Sequence, residues 1–138
     1  MKTLFINCSK DKNGLTAQIA AGTGKDFETL NLVDYMVYPL GQEKNDDQFM
    51  KVCKKIAEAD DLIIGTPVYW SSMSAYVKIL IDRMTDVLHD NNPFQGKNMV
   101  LIIDGFEPLD AIPHIEHVWK HVADRFGMTI TETITNKG

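Results

Sequence analysis

A short loop in the middle of the chain carries the residue types that bind flat, polar ligands. Residues 67–74 hold two adjacent aromatic side chains, Tyr69 and Trp70, and three serines. Aromatic rings offer flat apolar surface, and the N–H groups of a loop can point at the polar edge of a planar heterocycle. The pattern predicts a ligand-binding loop, and the alternative is that both rings only cap the core.

The same loop is expected at the carboxyl end of a buried strand. The apolar run 62–64 before it is short and bounded by acids and by Gly65-Thr66-Pro67, which is typical of a strand in a parallel sheet. Because Pro67 cannot donate to a neighbouring strand, we expect the strand to end there. Open α/β sheets bind ligands at this edge.

A second loop, residues 7–16, has the composition of an anion site. It separates a strand pattern from a helix pattern that begins at Leu15. The unpaired N–H groups and the dipole of a helix amino end favour negative charge, and the hydroxyls of Ser9 and Thr16 add donors, so phosphate is the natural ligand. The loop lacks the glycine patterns of nucleoside triphosphate and dinucleotide sites. The alternative is that Ser9 and Asn13 only cap the helix.

A third loop, residues 104–108, follows another continuous apolar run. Its Gly105 permits close approach of the backbone to a ligand, and Phe106 stands beside it. A planar ring and a phosphate on neighbouring loops indicate a mononucleotide as the ligand.

No side-chain cluster in the sequence predicts acid-base catalysis or a metal. Three histidines, His114, His117 and His121, share one face of the last predicted helix. Imidazoles on one face could bind zinc or nickel, but a solvated stripe is favoured because no cysteine or carboxylate partner is identifiable. We therefore expect no catalytic side chain and no metal.

Alternating strand and helix patterns position these loops. The strands are expected at 2–7, 27–33, 62–66, 98–103 and 128–135, and the helices from 15 to a stop at 22–24, at 46–59, from 75 to a break at 91–93, and at 110–126 before Gly127. Such alternation requires right-handed crossovers and a mostly parallel sheet with helices on both faces. We expect one domain, residues 1–138, of the α/β class.

Composition excludes several kinds of partner. The 138 residues carry a formal net charge of -5 without a Lys/Arg cluster, which argues against nucleic acid. No apolar run approaches the roughly 20 residues that span a bilayer, so no membrane contact is expected. Cys8 and Cys53 lack metal-ligand spacing and suit a reducing compartment, which favours the cytoplasm.

Two stretches resemble the NAD(P)H-dependent FMN reductase branch of the flavodoxin-like superfamily. The family pattern T/S-P-V-Y-W/F-x-x-M-S-A-x-x-K-x-x-x-D-R is matched by Thr66-Pro67-Val68-Tyr69-Trp70, Met73-Ser74-Ala75, Lys78 and Ile81-Asp82-Arg83. The family's phosphate loop is matched by Asn7, Ser9, Asn13-Gly14 and Thr16, whereas Lys10-Asp11 replace its usual Pro-Arg, so a charge-assisted Arg-phosphate contact is missing.

The resemblance implies a flavodoxin-like, doubly wound, five-stranded parallel sheet in three α/β/α layers. It also implies an oxidoreductase that takes hydride from NADH or NADPH through bound FMN to a small acceptor such as a quinone, commonly as a homodimer. The FMN contacts it implies are Ser9, Lys10, Asn13, Gly14, Leu15, Thr16, Pro67, Val68, Tyr69, Trp70, Ser71, Met73, Asp104, Gly105 and Phe106. The alternatives are an FMN electron carrier that serves a protein partner, and a domain of this fold with weakened or lost flavin binding.

Overall fold

Strands and helices alternate along the chain as the hydrophobic patterns predict. The structure is a computed structural model that describes residues 1–106 and 108–136; Glu107 of the third loop and residues 137 and 138 lie outside the described residues. The strands are β1 (Thr3–Asn7), β2 (Glu28–Asn31), β3 (Asp61–Tyr69), β4 (Ser72–Met73), β5 (Asn98–Asp104) and β6 (Thr129–Thr135), and the helices are α1 (Leu15–Gly22), α2 (Phe49–Ala57), α3 (Ala75–Arg83) and α4 (Ile112–Phe126).

Five strands form one parallel sheet in the order β2-β1-β3-β5-β6, and the short β4 pairs antiparallel with the end of β3. The predicted flavodoxin-like sheet is therefore confirmed. Its register aligns the carboxyl ends of the three central strands, because Asn7 lies beside Gly65 and Pro67 lies beside Asp104. The loops that follow β1, β3 and β5 consequently leave the sheet at one edge.

Helices cover both faces of this sheet. Alternate strand residues such as Leu4 and Ile64 point into a large core shared with α2, α3 and α4, where Trp119 is fully buried. The residues between them, Phe5 and Ile63, point into a smaller core beneath α1. Because both faces of β1, β3 and β5 are buried, these strands contain the continuous apolar runs 4–6, 62–64 and 99–103, as expected for central strands of a parallel sheet. None of the described helices has the length and apolar character needed to cross a membrane.

The expectation that Pro67 ends its strand is wrong. β3 continues through Pro67 to Tyr69 and pairs with β5 at that position. The register between β1 and β3 ends at Gly65, so further along β3 has a parallel partner on one side only. Proline is tolerated where a strand has an unpaired side, because no neighbour requires its missing N–H group.

Several element boundaries differ from the sequence pattern; α2, for example, ends at Ala57 rather than at residue 59, and α4 begins at Ile112 rather than at residue 110. β2 is shorter than predicted because Leu32–Asp34 forms a 3-10 turn. α2 begins at Phe49 rather than at residue 46. The side chain of Asp47 accepts the N–H groups of Phe49 and Tyr38, and these hydrogen bonds keep Asp47 in the loop before the helix. α3 ends at Arg83 and continues as a 3-10 turn over Met84–Val87.

The long segment between β2 and α2 is anchored by Arg83. Its side chain is 6% exposed and donates to the carboxylate of Asp47, to the carboxylate of Asp86 at 3.0 Å and to the carbonyl of Tyr38 at 2.9 Å. Its guanidinium stacks 4.7 Å above the ring of Phe49. Burial alone would raise the pKa of Asp47, but the hydrogen bonds from Arg83, Phe49 and Tyr38 hold that pKa below its usual value.

Replacing Arg83 with Met should lower the free energy of unfolding by about 3 kcal/mol, because it leaves the Asp47 carboxylate without its cation at a site only 13% exposed. Lys78→Met is the matched control, since Lys78 pairs with Asp82 on the exposed surface of α3 and its loss should cost less than about 0.5 kcal/mol. Urea unfolding of both variants measures the two losses. Equal losses would contradict the anchoring role.

Candidate functional site

Three loops meet at the carboxyl edge of the sheet. Loop 1 comprises residues 8–14, loop 2 comprises residues 67–74 and loop 3 comprises residues 104–108, with Glu107 outside the described residues. They lie at the carboxyl ends of β1, β3 and β5, which are neighbours in the sheet, and loops 2 and 3 include the last residues of β3 and β5. Predicted contact residues that are far apart in the sequence are thereby brought together, at the edge where sheets of this kind bind ligands.

Asn7 fixes the path of loop 1. It is fully buried, its side-chain amide donates to Asn31 of β2 at 3.0 Å and to the carbonyl of Asp11 at 3.3 Å, and its side-chain oxygen accepts the N–H of Ser9 at 3.1 Å. The hydroxyl oxygen of Ser9 in turn accepts the N–H of Asp11 at 3.0 Å. The loop is thus held by its own hydrogen bonds before any ligand arrives.

Loop 1 leads into an amino end of α1 that carries no side-chain cap. Gly14 occupies the cap position, and the first helical hydrogen bond runs from the N–H of Gln18 to the carbonyl of Gly14 at 3.0 Å. The N–H groups of the first helical turn, residues 15–17, precede that bond and have no acceptor within the helix. The alternative that Ser9 and Asn13 only cap the helix is therefore wrong, and these N–H groups can receive an anion.

Thr16 and Asp104 form a buried hydrogen bond between α1 and the end of β5. The Thr16 hydroxyl donates to both carboxylate oxygens of Asp104, at 3.0 and 2.8 Å, and the two residues are 1% and 2% exposed. Burial raises the pKa of Asp104 to about 6, although the Thr16 hydrogen bond opposes this rise. The sequence pattern offered Thr16 as a phosphate donor and gave no sign of this pairing.

Loop 2 is a tight hairpin rather than an open loop. Val68 pairs with Met73 and Tyr69 with Ser72, and the turn residues Trp70 and Ser71 have φ angles of 51° and 62°. Two successive positive φ angles are typical of a type I′ turn, a conformation that costs energy in residues other than Gly.

The two rings of loop 2 have different environments. Trp70 is 100% exposed, so the interpretation that it caps the core is wrong. Tyr69 is half-buried, and its hydroxyl oxygen accepts the N–H of Lys10 in loop 1 at 3.3 Å. Pro67 and Met73 are buried beneath the hairpin, and Met73 belongs to the large core. The hairpin therefore presents Tyr69 and Trp70, while Met73 anchors it.

Ser74 ties loop 2 to loop 1. Its hydroxyl donates to the carbonyl of Cys8 at 2.7 Å and accepts the N–H of Val77, which caps α3. Its own N–H donates to the hydroxyl oxygen of Thr66 at 3.0 Å. Because Ser74 is fully buried, these bonds hold the two loops in a fixed relation.

Loop 3 lies against loop 2 at Gly105. Its φ angle is 148°, and a Cβ atom there would come within 3.3 Å of the nitrogen and Cβ of Val68. Asn136 exchanges two hydrogen bonds with the backbone of Gly105, at 3.0 and 2.9 Å. Phe106 beside it is 91% exposed. Gly105 thus allows the backbones of loops 2 and 3 to touch, and both present an aromatic ring to solvent.

An open cavity of about 450 Å³ lies where loops 1 and 2 face each other, lined by Lys10, Val68, Tyr69 and Trp70. The ammonium of Lys10 is paired with the carboxylate of Asp11 at 3.1 Å. The cavity walls are therefore mostly aromatic and apolar, with one cation at the loop 1 end.

Neither cysteine nor histidine adds chemistry to this edge. Cys8 is fully buried, its thiol faces the carbonyl of Ile6 at 3.8 Å, and burial raises its pKa far above the usual value, so the thiol stays protonated. His114, His117 and His121 are exposed on α4. Over residues 1–106 and 108–136, no cluster of three or more His, Cys, Asp or Glu could hold a metal ion.

The chain is similar to a family of flavin-dependent reductases along almost its whole length. The model of the family described as NADPH-dependent FMN reductase matches residues 1–134. A Bacillus subtilis protein, YwqN, named as an NAD(P)H-dependent FMN-containing oxidoreductase, is 27% identical over 156 residues, an alignment that covers 100% of this chain and 86% of YwqN. An iron-sulfur flavoprotein of Archaeoglobus fulgidus is 33% identical over 97 residues, covering 60% of this chain and 48% of that protein.

A solved structure shares the fold. The Trp repressor binding protein from Bacillus subtilis superposes with a TM-score of 0.78 at 25% identity, over 99% of this chain and 87% of that one.

The approach of α1 to the sheet should not tolerate a side chain at residue 65. A Cβ on Gly65 would lie 2.5 Å from Cγ2 of Thr16 and 3.1 Å from the ring of Phe5. Gly65→Ala should therefore lower the free energy of unfolding by about 1 to 3 kcal/mol. The control is Gly22→Ala at the end of α1, where no atom lies within 4 Å, and it should be neutral or slightly stabilising. Thermal unfolding that ranks the variants in the opposite order would refute the close contact.

The buried carboxyl of Asp104 should make stability depend on pH. Its pKa rises from 3.8 to about 6 on folding. The folded state therefore holds the proton that the unfolded state loses, and stability falls as pH rises through this interval. Between about pH 4 and pH 7 the wild-type protein should lose about 2 kcal/mol relative to Asp104→Asn, whose amide does not titrate. Denaturant unfolding at several pH values measures the difference, and parallel curves would show that Asp104 ionises normally.

Proposed function

Because the chain belongs to the NADPH-dependent FMN reductase family, we propose that loops 1, 2 and 3 hold FMN and that electrons from NADH or NADPH pass to a small acceptor such as a quinone. The activity class is that of an NAD(P)H-dependent FMN oxidoreductase. The main support for this site is that the uncapped amino end of α1 and the open aromatic cavity between loops 1 and 2 lie at the same edge of the sheet.

The residues at this edge fit both ends of FMN. At the phosphate end, the N–H groups of the first turn of α1 provide donors that no side chain occupies. At the ring end, Tyr69 and Trp70 supply flat surface along the cavity. Gly105 lets loop 3 pack closely against Val68 of loop 2. The proposed contacts are those of Ser9, Lys10, Asn13, Gly14, Leu15, Thr16, Val68, Tyr69, Trp70, Ser71, Gly105 and Phe106. The resemblance also implied contacts of Pro67, Met73 and Asp104, but these side chains are buried in β3, β4 and β5 and are not among the contacts we propose.

Bound FMN would supply the redox chemistry between the nicotinamide and the acceptor, and this chemistry would not require an acid-base residue of the protein. The chain's own residues bind and orient. Ser74 holds loop 2 against loop 1 through the carbonyl of Cys8, which fixes the distance between the phosphate end and the ring end. The hydroxyl oxygen of Tyr69 accepts the backbone N–H of Lys10 and so fixes loop 1 against loop 2 at this point. Fixed loops of this kind bind with little ordering cost.

Lys10 has a weaker role than an arginine would have in its place. Its ammonium is exposed and already paired with Asp11, so it acts on a phosphate as a screened point charge. The affinity for the phosphate group therefore rests mainly on backbone N–H groups and hydroxyls.

We also propose that the protein works in the cytoplasm as a homodimer. Two free, buried cysteines fit a reducing compartment. For the dimer, the candidate contact surface is the mostly apolar groove lined by Leu32–Asp34, residues 35–37 and α3 residues such as Tyr76. Sedimentation of the purified protein measures the oligomeric state directly.

The proposed activity is tested by titrating the purified protein with FMN and following flavin fluorescence. Binding should quench it, and NADPH or NADH should then bleach the bound flavin faster than the same amount of free FMN. Adding benzoquinone should restore the oxidised spectrum. Absence of quenching would overturn the flavin site, and bleaching without reoxidation by a quinone would overturn the acceptor alone.

The ring of Trp70 should contribute to flavin affinity without supporting the fold. Trp70→Gly removes an exposed ring and places glycine at a φ of 51°, so thermal stability should stay equal or rise. The dissociation constant for FMN should increase about tenfold, within the range of aromatic stacking on a base. Met50→Ala, an exposed apolar residue of α2, is the control and should change neither quantity. An unchanged FMN affinity in Trp70→Gly would remove this ring from the site.

A further inference from the structure

A buried acid lies beside the proposed phosphate site. Asp104 is 2% exposed at the end of β5, and its carboxylate accepts the hydroxyl of Thr16 in the first turn of α1. That same turn presents the uncapped N–H groups. A carboxylate in this position opposes a bound anion, which makes its protonation state a determinant of what the site holds.

The Thr16 hydroxyl couples the Asp104 carboxylate to an anion bound at the amino end of α1, because both can accept its one proton. A hydroxyl has one proton and two lone pairs. When Asp104 is ionised, both of its oxygens compete for that one proton, at 3.0 and 2.8 Å. When Asp104 is protonated, the carboxyl can donate to the Thr16 oxygen, and the Thr16 proton becomes available to another acceptor.

We propose that Asp104 is a positioning residue that sets the affinity of the α1 amino end for a phosphate group, by taking up a proton as the anion binds and so releasing the Thr16 hydroxyl to donate to it. This inference rests on the proposed function, because it requires the phosphate of FMN at the amino end of α1. The covalent chemistry is a single proton transfer from solvent to the Asp104 carboxylate, with no other bond changed.

Among the described titratable groups on the elements packed against the amino end of α1, Asp104 is the one that can change its protonation state when an anion binds. α1 carries no charged side chain. In loop 1, Lys10, Asp11 and Lys12 are all exposed and Cys8 stays protonated. The other titratable groups on the packed strands are Asp61 and Tyr69 of β3 and Glu132 of β6, and Asp61 lies at the opposite end of the sheet from Pro67, the β3 residue paired with Asp104.

No described cation pairs with the Asp104 carboxylate. Burial raises the pKa of this group to about 6. The carboxylate is therefore charged near neutral pH but can be protonated at modest cost. A dianionic neighbour raises a carboxyl pKa further, so anion binding and proton uptake favour each other.

The test compares FMN affinity of the wild-type protein and Asp104→Asn by quenching of flavin fluorescence between about pH 5 and about pH 8. The phosphate of FMN has its own second pKa near 6, as other phosphate monoesters do, and the ratio of the two dissociation constants cancels it. The wild-type protein should bind about as well as the variant below pH 6, and up to about tenfold more weakly for each pH unit above it.

Two controls separate this coupling from general effects. Asp11→Asn removes an exposed acid of loop 1, and its effect on FMN affinity should be the same at every pH. Riboflavin lacks the phosphate, so wild type and Asp104→Asn should bind it equally at every pH. A pH-dependent ratio with riboflavin as well would show that Asp104 acts through the fold or the ring end, and would overturn the proposal.

A measurement on the wild-type protein makes the test independent of how the variant folds. The carboxyl ¹³C resonance of Asp104 should titrate at a higher pH with FMN bound than without it. An equal or lower titration point in the complex, or a flat ratio of dissociation constants with FMN bound by both proteins, overturns the coupling alone. Failure of the wild-type protein to bind FMN at any pH overturns the proposed function and this inference together.

Discussion

The close packing of α1 on Gly65 is the contact on which the site depends. Without a Cβ at residue 65, the methyl group of Thr16 can lie directly on β3. From there the Thr16 hydroxyl reaches across to Asp104 at the end of the neighbouring strand β5. One glycine therefore lets the helix that follows β1 contact the last residue of β5, and it brings the amino end of α1 close to the carboxyl edge of the sheet.

The site combines two opposing electrostatic features. The uncapped turn of α1 attracts an anion, while Asp104 repels one from a position that solvent hardly screens. The missing arginine of loop 1 and the pairing of Lys10 with Asp11 leave little positive charge to outweigh the acid. The ring end has no such conflict, since Tyr69 and Trp70 only have to offer surface. We therefore expect the ring end to contribute a larger share of the flavin affinity than usual for a site with a phosphate loop.

The alternation of strands and helices, and with it a mostly parallel sheet, could be predicted from the sequence, because continuous apolar runs and helical periodicity indicate local structure directly. The conformation of loop 2 could not. Pro67 continues its strand because the ladder with β1 has ended, and Trp70 is exposed because the chain turns with two positive φ angles. The path of the chain at Pro67 and at Trp70 depends on contacts with other strands, which a local sequence pattern does not contain. The Thr16–Asp104 bond joins residues 88 positions apart, and no sequence pattern encodes it.

The central claim is that loops 1, 2 and 3 form a single flavin site. It is tested most directly by recording ¹H–¹⁵N NMR spectra of the protein during titration with FMN. The account predicts that the largest shifts fall on the backbone N–H groups of residues 12–17, 68–71 and 105–106. Shifts concentrated on the groove between α4 and β6, lined by residues such as Lys120 and Ile130, would contradict it.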